Sequence, residues 1–249
     1  MKRFLTTSVA AALALGTMGV VSAEPVKNIV LVHGAFADGS GWREVAEILE
    51  RDGYSVSVVQ EPETSLADDA AATKRMIERV NAPLILVGHS YGGAVITQAG
   101  NEAQVRGLVY IAAFQPDTGE TLGDLLKQRP AAANSTVPAG EGYLTVDPNA
   151  FHADFAADLP AKEANFMAIS QVPISVTAIS TPITNAAWHN KPSWYAVATE
   201  DRMINPDLER FMAKRAGSTS IEVRGSHAIF MSQPKIVAKL IDQAAKDAK

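Results

Sequence analysis

Gly88-His89-Ser90-Tyr91-Gly92 sets a single serine among glycines at the end of the apolar run Leu84–Val87. A serine in G-x-S-x-G spacing, on a sharp turn from strand into helix, stands clear of a sheet and beside free backbone N–H groups. Those are the requirements for nucleophilic attack on a carbonyl. A serine hydroxyl alone is a weak nucleophile, so the chemistry also needs a base, and an acid that orients the base.

The base is expected to be a histidine on a loop after a late strand. His227 in "VRGSHAIFMSQP" fits, following the stretch that ends near Val223 and preceding the last helix. The acid is expected after an earlier strand, where "YAVATEDRMINP" offers both Glu200 and Asp201, and spacing leaves the two open. Attack on a carbonyl further requires donors for the developing oxyanion. The backbone N–H groups of Ala35, in "HGAFADGSGW", and of Tyr91 are the candidates. Phe36, Tyr91 and Phe114 flank the reacting residues in sequence and are candidate pocket residues, although large aromatics equally fill cores. Of the remaining histidines, His33 and His89 read as supports for the turns they occupy, and His152 and His189 as surface or lid residues. No H-x-x-x-H or H-E-x-x-H pattern occurs, and no metal site or cofactor is expected.

Positioning such a set requires a scaffold of alternating elements. "NIVLVHG" and "APLILVGH" are continuous apolar runs, as expected of strands buried on both faces. "YSVSVVQ", "VRGLVYIAAF", "PSWYAVAT" and "TSIEVRG" read as further strands. Helices are expected between them. "GWREVAEILERDG" aligns Trp42, Val45, Ile48 and Leu49 on one face and stops at Gly53, and "SLADDAAATKRMIERV" opens with Ser65 as cap and acids in its first turn. "NPDLERFMAKRAG" and "SQPKIVAKLIDQAAKDA" complete the set. The alternation predicts an α/β fold, a mostly parallel sheet flanked by helices. From about residue 115 to 191 the pattern is interrupted by Ala- and Pro-rich sequence with helical stretches such as "TLGDLLKQR" and "AKEANFMAIS". It lies between two core strands and is expected to form a helical cap. Phe151, Phe155, Phe166 and Met167 in it are apolar enough to complete a pocket.

The chain of 249 residues is 47% hydrophobic and 20% charged, enough for one cored domain, expected over residues 24–249. Residues 1–23 have a basic start (Lys2, Arg3), an apolar stretch and the small ending Val21-Ser22-Ala23. That is the layout of a secretory signal peptide, so export to the periplasm or medium is expected. Losing its two basic residues would take the net charge from -5 to -7. An acidic chain without a basic patch is a poor match for nucleic acid. The absence of cysteine excludes disulfides, a thiol nucleophile and cysteine metal sites.

The blocks "LVHGAFADGSGW", "LVGHSYGG", "AAFQPD", "ATEDRMINPDLERFM" and "GSHAIFMSQP", in this order, resemble one branch of the α/β-hydrolase superfamily. It is the branch of plant methyl-ester esterases and hydroxynitrile lyases, and exported bacterial esterases of the branch are nearer still. The likeness covers nearly all of Asn28 to Ala248 and is weakest in the insertion. It implies the α/β-hydrolase fold and a Ser90–His227–Asp201 triad. The family's acid lies five residues before the proline opening the next helix, here Pro206, which favours Asp201 over Glu200. The lyases of the branch carry a lysine after the histidine and a threonine after the first-loop histidine. Here Ala228 and Gly34 stand there, which favours hydrolysis of a small-molecule carboxylic ester. The alternatives are a lyase or cofactor-free haloperoxidase-like activity on the same triad, and a ligand-binding protein on a hydrolase scaffold.

Overall fold

The computed structural model describes residues 26–248, so the expected signal peptide lies outside the described residues. The first half runs β1 (Asn28–Val32), α1 (Arg43–Arg51), β2 (Ser55–Val59), α2 (Leu66–Val80), β3 (Leu84–His89), α3 (Tyr91–Ala99) and β4 (Val105–Ile111). The insertion follows as α4 (Leu122–Gln128), β5 (Thr136–Gly140), β6 (Tyr143–Val146), α5 (Pro148–Asp154), α6 (Ala161–Ile169), β7 (Ile174–Ser175) and α7 (Val176–Ser180). The chain then returns to β8 (Ser193–Ala198), α8 (Pro206–Arg215), β9 (Thr219–Val223), α9 (Ile229–Ser232) and α10 (Pro234–Asp247).

Six strands form one sheet in the order β2-β1-β3-β4-β8-β9, every neighbouring pair parallel. The apolar runs read as doubly buried strands are so: all six residues of β3, and all six of β8, are buried. Parallel pairing puts the carboxyl ends of the strands on one edge of the sheet, and order reverses between β1 and β3, the usual place for a site in an open α/β sheet. Caps and breakers set the helix ends. Ser65 accepts from Asp68 N–H at the start of α2, and Asn81 closes that helix with φ 46°. Pro206 opens α8 behind Asn205, whose side chain accepts from Asp207 N–H.

Two expectations need amendment. The C-terminal "SQPKIVAKLIDQAAKDA" is one helix only from Pro234. The ring of Pro234 disfavours helical backbone at the preceding residue, and Gln233 (φ -127°, ψ 46°) separates α10 from a short α9. Trp42 does not belong to α1: it ends a 3-10 turn, Gly39–Trp42, and is fully buried.

Between β4 and β8 the chain forms four helices together with a three-stranded antiparallel sheet, β5-β6-β7. The sheet was not legible because Pro138, Ala139 and Gly140 blur the alternation of β5. Its hairpin turns at Glu141 (φ 49°) and Gly142 (φ 81°), the paired positive φ angles that two-residue hairpin turns use. No helix among the described residues is long and apolar enough to cross a membrane.

Candidate active site

Ser90 sits where β3 becomes α3, with φ 52° and ψ -121°. A positive φ at a non-glycine residue costs on the order of 1–3 kcal/mol and persists only where the surroundings enforce it. Here Ser90 N–H donates to Ile111 O (3.3 Å), while Ser90 O accepts from Gly93 N–H and Phe114 N–H, both at 3.0 Å. The turn is thereby tied to the end of β4. The loop after β1 passes close by: a Cβ on Gly34 would come within 2.6 Å of Ser90 Cβ, so only glycine fits there.

The residues singled out from the sequence come together from three loops at the same sheet edge. His227 Nε2 is 2.8 Å from Ser90 Oγ, and its Nδ1 is 2.6 Å from Asp201 Oδ2. Asp201 can only accept while ionised, so Nδ1 carries the proton and Nε2 is free to accept from the serine hydroxyl. Asp201 Oδ1 also accepts from Met203 N–H (2.7 Å) and Ile204 N–H (2.9 Å). All three side chains are buried, with Ser90 the most open at 7%. Glu200, the competing acid, points away and pairs with Arg224 at the surface (2.8 Å).

His89 supports His227. Its Nε2–H donates to His227 O at 2.9 Å, and its ring packs against those of His227 and Phe230. Burial holds its pKa far below the usual histidine value, so it is neutral. Phe155 meets the His227 ring edge-on, 4.8 Å between centroids. The cap aromatics therefore divide. Phe151 and Phe155 are core, stacked on each other beside the histidine, whereas Phe166 and Met167 line a separate cleft of about 160 Å³ beyond Phe36. None of the four lines the cavity at Ser90, where other cap residues stand.

That pocket is a cavity of about 260 Å³. Ala35, Phe36, Ser90, Tyr91, Phe114, Met203, Ile204 and His227 form its base, and Leu122, Leu126, Thr136, Leu144, Ile174 and Ile179 its roof. Its lining contains no Asp, Glu, Lys or Arg. Phe36 and Phe114 both face it, as does Tyr91. Tyr91 is also the first residue of α3, where backbone N–H groups lack an intrahelical acceptor. Ala35 lies on the loop that presses on Ser90 through Gly34.

Sequence reasoning missed a buried acidic group behind this loop. His33 Nδ1–H donates to Gly34 O (3.0 Å) and its Nε2 accepts from Glu61 N–H (3.0 Å), which fixes a neutral ring whose pKa burial lowers. Asp69 accepts from Glu63 N–H (2.8 Å) and from Tyr91 O–H (2.5 Å). Ser175 N–H, on cap strand β7, donates to Glu63 O at 2.9 Å. The carboxyls of Glu61 and Glu63 are buried with no donor at normal hydrogen-bond geometry. Burial, with Asp69 beside it, pushes Glu63 up to about 9, and raises Glu61 well above the ordinary carboxylate range. Two acids kept neutral therefore stand behind the loop that carries Ala35. The available signal was Asp69 itself. It lies on the buried stripe of α2 with Leu66, Ala70, Thr73 and Ile77.

The sequence profile of the alpha/beta hydrolase family matches residues 29–240. A carbendazim hydrolyzing esterase of Nocardioides sp. is 32% identical over 57% of this chain and 63% of its own. A putative chloroplastic methylesterase 11 of Arabidopsis thaliana is 22% identical over 88% of this chain and 64% of its own. Among solved structures, a pyrethroid hydrolase from Sphingobium faniae JZ-2 superposes with a TM-score of 0.77 at 23% identity, over 89% of this chain and 98% of that one.

Proposed function

The chain belongs to the alpha/beta hydrolase family, and from that premise we propose that it is a serine hydrolase of carboxylic esters, with Ser90, His227 and Asp201 as its triad. The observation that carries the reading is the unbroken hydrogen-bonded line from Asp201 through His227 to Ser90 Oγ, ending at an apolar cavity. The relatives named as a carbendazim esterase and a methylesterase support ester chemistry.

In the proposed reaction His227 Nε2 takes the Ser90 proton as Oγ attacks the ester carbonyl. The carbonyl oxygen becomes an oxyanion held by the N–H groups of Ala35 and Tyr91. His227 then protonates the leaving alcohol, and water activated by the same nitrogen releases the acid from Ser90. Asp201 keeps the proton on Nδ1 and stabilises the imidazolium. Neutral Glu61 and Glu63 behind the oxyanion loop suit this step, because an ionised carboxylate there would repel the developing charge. A cavity without charged lining, below the 300–1,000 Å³ of drug-sized sites, favours an uncharged ester with a compact apolar group on one side of the carbonyl.

Hydrolysis of p-nitrophenyl esters from acetate to long acyl chains, by mature wild type and Ser90→Ala, tests the reading. Turnover that is greatest on short chains and vanishes in the variant is expected. Undiminished turnover in Ser90→Ala would remove Ser90 from the mechanism. We also propose that residues 1–23 direct export and are removed before Glu24, which the N-terminal mass of secreted protein checks.

A further inference from the structure

Behind Asp201 lies a second buried carboxyl that the triad does not account for. Glu209 is on α8, fully buried on the helix's apolar stripe with Leu208, Met212 and Ala213. Its Oε2 accepts from Ala198 N–H at 3.1 Å, and its Oε1 meets no N–H or O–H donor. Ala198 ties this carboxyl to Asp201: its N–H serves Glu209, and its O accepts from Asp201 N–H at 3.2 Å, so the two buried acids are neighbours at the end of β8. Among the described residues no Lys or Arg forms an ion pair with either carboxyl. The neighbouring Arg210 faces outward, bound to Glu222 and Asp207, each at 2.8 Å. The hydroxyl of Tyr195, on β8, donates to Ala113 O and not to either acid.

Two carboxyls in contact inside a protein cannot both ionise, so the pair retains one proton. Its place follows from the donors. Three N–H groups converge on Asp201, from His227, Met203 and Ile204, and each stabilises negative charge. One N–H reaches Glu209. The proton therefore resides on Glu209, whose remaining oxygen needs a donor role to be satisfied. Burial and the Asp201 charge both raise the Glu209 pKa well above the ordinary glutamate range.

We propose that Glu209 is a positioning residue, a neutral carboxylic acid that donates its proton to Asp201 and extends the line Ser90–His227–Asp201 by one member. The inference rests on the triad reading above. Donation to Asp201 fixes the carboxylate plane, so that Oδ2 stays aimed at His227 Nδ1. It also supplies a fourth donor to a buried charge without adding a second charge near the imidazole.

The test uses Glu209→Gln and Glu209→Leu in the full-length mature protein, with Ser90→Ala as the background subtracted from every rate. An amide can donate as the neutral acid does, so Glu209→Gln is expected to keep kcat within about threefold. Glu209→Leu, without a donor, is expected to lose about 10- to 100-fold in kcat with KM little changed, the worth of one hydrogen bond to a charged group. A loss in Glu209→Gln as deep as in Glu209→Leu, or full activity in a folded Glu209→Leu, overturns the proposal. The pH profile of Glu209→Gln decides even if the leucine variant fails to fold. A neutral Glu209 predicts an acid limb of kcat superimposable on that of wild type. Displacement of that limb to lower pH by about a unit would mean that wild-type Glu209 is ionised beside the histidine, and would overturn the proposal. Failure of the triad reading has a separate signature, since Ser90→Ala would then turn over like wild type.

Discussion

Ser90 stands between two buried acidic regions that treat charge in opposite ways. On the histidine side, Asp201 is ringed by N–H donors from His227, Met203 and Ile204, and Glu209 behind it accepts from a single amide. Behind the loop that carries Ala35, Glu61 and Glu63 lie in the protein interior with no donor within hydrogen-bond geometry, and Asp69 ties Tyr91 to the backbone of Glu63. One region is built to keep a negative charge on Asp201, the other to keep protons on Glu61 and Glu63. The difference matches what each neighbour needs. A histidine that gains a proton is stabilised by a carboxylate, while an oxyanion would be destabilised by one. Burial alone cannot separate the two behaviours, because both regions are buried; the count of N–H donors does.

The largest effect is expected from removing the charge on Asp201. Asp201→Asn should lower kcat by about 10⁴-fold with little change in thermal midpoint, because an amide there favours the wrong histidine tautomer. A drop of only a few fold would mean that the negative charge beside His227 is dispensable and that the contrast carries no function.

A smaller effect sharpens the other side. At pH below the ordinary glutamate range, Glu63 is protonated in both folded and unfolded chains. From there up to about 9 the folded chain keeps a proton that the unfolded chain has released, so stability falls as pH rises. One such proton accounts for a slope of at most about 1.4 kcal/mol per pH unit. Glu63→Gln, which cannot ionise, should flatten the fall in denaturant-unfolding free energy between about pH 5 and 9 and be the more stable protein at the alkaline end. Equal slopes for the two proteins would show that Glu63 titrates normally and that the region behind the Ala35 loop is not held neutral.

The smallest expected effect is a control on proximity. Glu200 adjoins Asp201 in sequence but pairs with Arg224 at the surface, where such ion pairs contribute roughly 0–1 kcal/mol. Glu200→Ala should leave kcat within about twofold. A loss comparable to that of Asp201→Asn would reassign the acid.

Much of this molecule is legible before folding because its signals are local. The apolar runs of β1 and β3, the serine between glycines, and the histidine after the last strand depend only on neighbours in the chain, and spacing places them. The acidic regions are harder to read because their signal is a charged residue on a stripe that should be apolar. Asp68 and Asp69 look alike as first-turn acids of α2. Asp68 does serve that turn, accepting from Thr64 and Ser65 hydroxyls, whereas Asp69 turns inward to Tyr91. Glu209 similarly reads as one more acid near the start of α8 until its face is known. The cap was expected as helices, and its added hairpin was hidden by Pro138 and by a turn that only backbone angles disclose.

Local sequence sets the element order of the main sheet, the serine turn and the residue types available for chemistry, because these follow from periodicity, glycine spacing and hydrogen-bonding groups close along the chain. Which acid meets His227, which aromatics face the cavity and which carboxyls keep their protons are set by tertiary contacts. Those outcomes depend on burial and on donors supplied by residues distant in sequence. The environment of Asp201 is built by β8, α8 and the loop after β9, and that of Glu63 by β1, α2 and the cap. A protonation state is a property of such a surrounding, and it exists only once the strands have brought it together.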